Sequence, residues 1–132
     1  MKKCVAFISS VLISSAVLLA PAFAAVDVED SMKDMGKSYR LVMQDNDAAS
    51  LQKDLATLRA AAAQAQSAVP DRMKKQAADS ADRKTFTTGI QELIDQIDVA
   101  SKLANEGKVP EAKAEAAKLK DIMKEYHSKL GV

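Results

Sequence analysis

Residues 105–130, NEGKVPEAKAEAAKLKDIMKEYHSKL, carry the pattern that decides the fold. Val109, Ala112, Ala116, Leu119, Met123, Tyr126 and Leu130 recur at alternating spacings of three and four. A helix turns once in about 3.6 residues, so these side chains share one face. Gly107 stands just ahead of the stripe and suits the left-handed position that ends a helix. Pro110 suits the first position of the next one, where its missing N–H costs nothing. The stretch therefore reads as the end of one helix, a short turn, and an amphipathic helix from Val109 to Leu130.

Working back along the chain, the same period appears three more times. Phe86, Ile90, Leu93, Ile97, Ala100 and Ala104 form a stripe in a helix that starts near Ser80. Leu51, Leu55, Leu58, Ala62 and Ala65 form another, from about Ala48 to Ala68, and Pro70 stops it. Val28, Met32, Met35, Tyr39 and Val42 form the first, over Val28 to Gln44, with Asp27, Glu29 and Asp30 at its start where negative charge suits the helix dipole. Asp45-Asn46-Asp47 is a turn, and Asp47 is a suitable N-cap. Residues 70–80 are polar, lack a hydrophobic repeat and read as the longest connection. No stretch beyond the first two dozen residues alternates with period two. The expected fold is all-α, an antiparallel up-down-up-down four-helix bundle.

The first residues do not belong to that bundle. Lys2 and Lys3 precede an apolar run from Val5 to Ala20, and Ala22-Phe23-Ala24 closes it. This is the layout of a secretory signal peptide cleaved after Ala24, which leaves residues 25–132 as one domain and implies the periplasm. Of the 19 basic residues Lys2 and Lys3 leave with the leader, against 18 acidic ones, so the mature charge is about −1. That balance offers nothing to nucleic acid or to an anionic membrane, and no stable membrane association is expected after cleavage. The one cysteine, Cys4, is also lost. The mature chain has no disulfide, no thiolate ligand and no means of attaching haem covalently. It shows no nucleophile–His–acid set and no Gly-rich phosphate loop, which argues against an enzyme.

Two residues stand out chemically. His127 is the only histidine, near the end of the last helix, and Met32 lies about one turn into the first. In an up-down-up-down bundle those positions share one end. Ala61, Ala62, Ala65 and Gly89 would leave volume there, with Phe86 and Ile90 as apolar walls. A lone histidine on a helix edge is more often structural, and a methionine on a stripe is usually core filler. An imidazole and a thioether at matching depth also suit an iron held in a flat macrocycle. With both axial positions filled, such an iron passes electrons and excludes substrates.

Val28-Glu29-Asp30-Ser31-Met32, Leu58-Arg59-Ala60-Ala61-Ala62, Gln96-Ile97-Asp98, Lys102 to Val109 and Tyr126-His127 together resemble the cytochrome b562 family over essentially the whole mature chain. The resemblance implies a periplasmic electron-transfer protein that binds one noncovalent haem b per chain, with redox partner proteins that it does not name. It implies Met32 and His127 as the iron ligands and Phe86 as an aromatic packed on the haem. Ile90 stands where a second aromatic is expected, and Met123 and Gly131 stand where arginines are expected. Lys124 and Lys129 are the bases then left for the haem propionates. The alternative is a haem-free periplasmic adaptor or chaperone-like module on the same bundle.

Overall fold

Asp27 starts the first helix by accepting the Glu29 amide on Oδ1 at 2.8 Å, which satisfies one of the donors that a helix N-terminus leaves open. In the same way Asp47 accepts from Ser50 at 2.9 Å and Ser80 from Arg83 at 3.3 Å. These caps begin helices α1 (Val28–Gln44), α2 (Ala48–Ser67) and α3 (Ala81–Asn105) in a computed structural model that describes residues 26–132. The expected leader and its cleavage point after Ala24 lie outside the described residues. Among the described residues there is no strand, and no helix is long and apolar enough to cross a membrane.

The fourth helix comes in two segments, α4 (Val109–Ala117) and α5 (Leu119–Leu130), where the spacing predicts one. Lys118 between them keeps helical angles (φ −65°, ψ −21°), but the bonding tightens. Its amide reaches the Glu115 carbonyl at 3.2 Å, and the Asp121 amide reaches the Lys118 carbonyl at 3.1 Å. Both are bonds of the 3-10 type. The cause lies on α3: Gln96 Nε2 donates to the Glu115 carbonyl at 2.9 Å and to its carboxylate at 2.7 Å. A side chain has entered the helical ladder and drawn one carbonyl toward itself.

Gly107 ends α3 as the sequence leads one to expect, and Gly131 ends α5 in the same way. Gly107 (φ +77°) and Gly131 (φ +68°) both take the left-handed conformation. After α3, the Lys108 amide bonds to Leu103 and the Gly107 amide to Ala104; after α5, the Val132 amide bonds to His127 and the Gly131 amide to Ser128. Both are Schellman stops. Gly131 thus serves as a backbone terminator at a position where the family resemblance leads one to look for arginine.

Consecutive helices pack against one another, and α3 touches both α4 and α5. α1 closes the bundle by packing on α4 but makes almost no contact with α5. α1 and the fourth helix therefore meet at the end that holds the 45–47 and 106–108 turns and part at the other. Leu51, Leu55, Ile97, Leu119 and Val42 are fully buried in the shared core. Burying each such side chain contributes about 1.5–3 kcal/mol.

The buried line of α1 differs from its hydrophobic stripe. Ser31, Met35, Ser38 and Val42 are buried, whereas Val28, Met32 and Tyr39 are partly buried at the edge of the core. Serine is small, so turning that side inward allows close approach to α2, its main neighbour. Met32 is left at the margin of the core, beside the gap between α1 and α5.

Candidate cofactor site

That gap holds a cavity of about 460 Å³, within the roughly 300–1,000 Å³ usual for small-molecule and cofactor sites. Its walls come from four parts of the chain. α1 supplies Val28 and Met32, the connection after α2 supplies Pro70 to Met73, and α3 supplies Phe86. The end of α5 adds His127 and Leu130, with Val132 just beyond. Met73 and Phe86 form the buried part, while Asp27, Glu29, Asp71, Arg72 and His127 are exposed to solvent. The site is an apolar slot with a charged margin.

The expected site residues divide as follows. Met32, Phe86 and His127 line this one cavity. Ile90 is buried in the core, 3% exposed, and is not part of the lining. Nor do Ala61, Ala62, Ala65 and Gly89 provide the space. The three alanines are buried in the core among their neighbours, and Gly89 is covered by the Tyr126 ring. A Cβ built on Gly89 would stand 2.6 Å from ring atoms Cδ1 and Cγ. The ring is held there by its hydroxyl, which donates to Glu92 Oε1 at 2.6 Å. That bond, together with burial, raises the Tyr126 pKa above the ordinary phenol value. The glycine admits an internal aromatic and leaves no room for a ligand.

Sequence reasoning missed Arg72 and Met73. The connection between α2 and α3 has no periodicity, so nothing local marks Met73 as buried, yet it is 1% exposed. The one available signal was a large apolar side chain alone in a polar stretch behind Pro70. A 3-10 turn at Asp71–Met73 points it inward. Arg72 in the same turn donates from Nη2 to the carbonyl of Leu130 at the end of α5.

The donor set suits an iron macrocycle and not a bare ion. The cavity offers one imidazole and two thioethers, from Met32 and Met73, with apolar walls and an aromatic face. Soft thioethers with imidazole are axial ligands of haem iron. A divalent ion would want several carboxylate, imidazole or thiolate ligands together. Among the described residues no three His, Cys, Asp or Glu side chains converge.

The chain is a helical bundle with an apolar slot of the size that cofactors occupy at one end. The model of the cytochrome b562 family matches residues 27–130, and the chain belongs to that family. It is 35% identical to a Yersinia pestis protein named "Probable soluble cytochrome b562 2", over 97% of each chain. It is 30% identical to "Probable soluble cytochrome b562 1" of the same organism, over 85% of this chain and 88% of that one.

Proposed function

We propose that this chain is a periplasmic electron-transfer protein that holds one haem b noncovalently, with His127 and Met32 as axial ligands. The observation that carries the reading is that an imidazole from the last helix and a thioether from the first line one apolar cavity beside Phe86. Bound there, the haem iron supplies a one-electron couple. The chain's own residues do the rest. His127, held on α5 by the Schellman stop behind it, would supply the imidazole ligand. Met32 on α1 would supply the thioether ligand, which favours the reduced state. Phe86, Met73 and Leu130 exclude water, which keeps the local dielectric low and limits reorganisation on electron transfer. Filling both axial positions suits a carrier and not a catalyst. Attachment is noncovalent because Cys4 is the only cysteine and lies in the proposed leader. The leader directs export, and the partner is another redox protein.

The test is a set of optical spectra of the reduced protein after titration with haemin. The wild-type chain is expected to give the sharp bands of low-spin haem b. His127→Ala and Met32→Ala should each lose them, whereas Met73→Leu should retain them because Met73 serves as wall. Unchanged spectra in both His127→Ala and Met32→Ala would refute the ligand assignment. A wild-type chain that takes up no haemin would favour the haem-free module.

A further inference from the structure

Haem carries two carboxylates, so its site needs either solvent or a cation at the edge. Among the described residues Arg72 is the only lysine or arginine that lines the cavity. The acidic groups of the lining are all engaged elsewhere. Asp27 caps α1 through the Glu29 amide at 2.8 Å. Glu29 pairs with Lys33 at 3.2 Å, and Asp71 pairs with Lys74. Among the described residues Arg72 has no carboxylate partner. Its bond to the Leu130 carbonyl uses one N–H of the five that a guanidinium carries. That bond also fixes the group, because the end of a helix offers unsatisfied carbonyls and partial negative charge. The connection after α2 is thereby fastened to the helix that carries His127, with the rest of the guanidinium fork at the cavity margin.

The two lysines that the family resemblance leaves for this task are placed differently. Lys129 is paired with Glu125 at 2.6 Å and lies over the Tyr126 ring, 4.5 Å from its centroid. Lys124 lines a separate depression next to His127, together with Lys120 and Asp121. Neither belongs to the apolar slot.

We infer that Arg72 is the carboxylate anchor of this site, binding a propionate through the guanidinium edge left open by its bond to Leu130. The inference rests on the haem reading above. A planar fork matches a carboxylate with two parallel hydrogen bonds, which a lysine ammonium does not. Because Arg72 is exposed, water and salt weaken the pair, and its weight is that of a surface ion pair, worth about one-and-a-half- to fivefold in affinity.

The experiment titrates the chain with haemin and, separately, with haemin dimethyl ester, which has the same ring and iron but no carboxylates. Wild type, Arg72→Gln and Arg72→Lys are compared at low and high salt. Arg72→Gln should weaken haemin binding by about one-and-a-half- to fivefold, with Arg72→Lys between, and the difference should shrink in high salt. With the dimethyl ester all three proteins should bind alike. Equal losses on both ligands would make Arg72 a strap for the loop and overturn the anchor. No loss on either would overturn it as well. If the wild type binds the ester but not haemin, carboxylates are rejected at the site and the anchor is wrong while the haem reading stands. If it binds neither, the haem reading falls and the anchor falls with it.

Discussion

Replacing Gly89 with alanine sets two effects of opposite sign against each other. Gly89 is inside α3, where alanine is favoured over glycine by about 1 kcal/mol. Against this, the new Cβ would meet Tyr126 Cδ1 and Cγ at 2.6 Å and Cδ2 at 3.1 Å. Carbon atoms prefer about 3.5–4.0 Å, so the ring must retreat by roughly 1 Å. It cannot do so freely, because its hydroxyl is held by Glu92 at 2.6 Å and Lys129 covers the ring. Overpacking of this kind costs about 1–3 kcal/mol. The net expectation is a loss of about 1 kcal/mol, or roughly 4–8 °C in Tm for a domain of this size.

Urea unfolding measures it, with Gly36→Ala as the control. Gly36 is also helical, but a Cβ there meets nothing within 4 Å. That change should therefore stabilise by up to about 1 kcal/mol. In a Tyr126→Leu background the ring is gone, and Gly89→Ala should turn stabilising. If Gly89→Ala stabilises the native-sequence chain as much as Gly36→Ala does, the close approach of α3 and α5 described above is wrong. Because His127 follows Tyr126 directly, haemin affinity should fall along with stability in Gly89→Ala.

Leu55→Ala removes a side chain with 0% exposure from the centre of α2 and should cost about 2–5 kcal/mol in urea unfolding through lost transfer energy and the cavity left behind. Asp47 gives a pH dependence with a definite sign: the Ser50 amide holds its carboxyl below the usual carboxylate range in the folded chain. Its capping contribution is then fully present above the unfolded value of about 3.9 and is lost as pH falls through the lower folded value. Asp47→Asn keeps a capping oxygen but does not titrate, so its stability should fall less steeply with acid over that range than the wild type's; an identical slope would contradict the cap.

Most of the bundle was legible because the signals are local. Helix period, the Asp47 cap, Pro110 and Gly107 each act within a turn or two of chain, and they bring α1, α2 and α3 out within a residue or so of the expected limits. Short turns force neighbouring helices to run antiparallel, which is enough to bring Met32 and His127 to the same end. The break at Lys118 was not legible, because its cause is Gln96 on another helix. The inward turn of Ser31 and Ser38 was also hidden. A hydrophobic stripe records affinity for the core but not how closely two helices can approach.

By itself, then, the sequence determined the number of helices, their order and direction, and the pairing of an imidazole with a thioether at one end of the bundle. Where the empty volume lies was decided only by the tertiary structure. Alanines and Gly89 are small, but their neighbours move in to fill the space, and at Gly89 the neighbour is the Tyr126 ring. The space instead opens where α1 parts from α5 and a polar connection folds Met73 and Arg72 across the gap. Residual volume depends on how all the helices and the connection pack at once, so no local pattern in the chain encodes it.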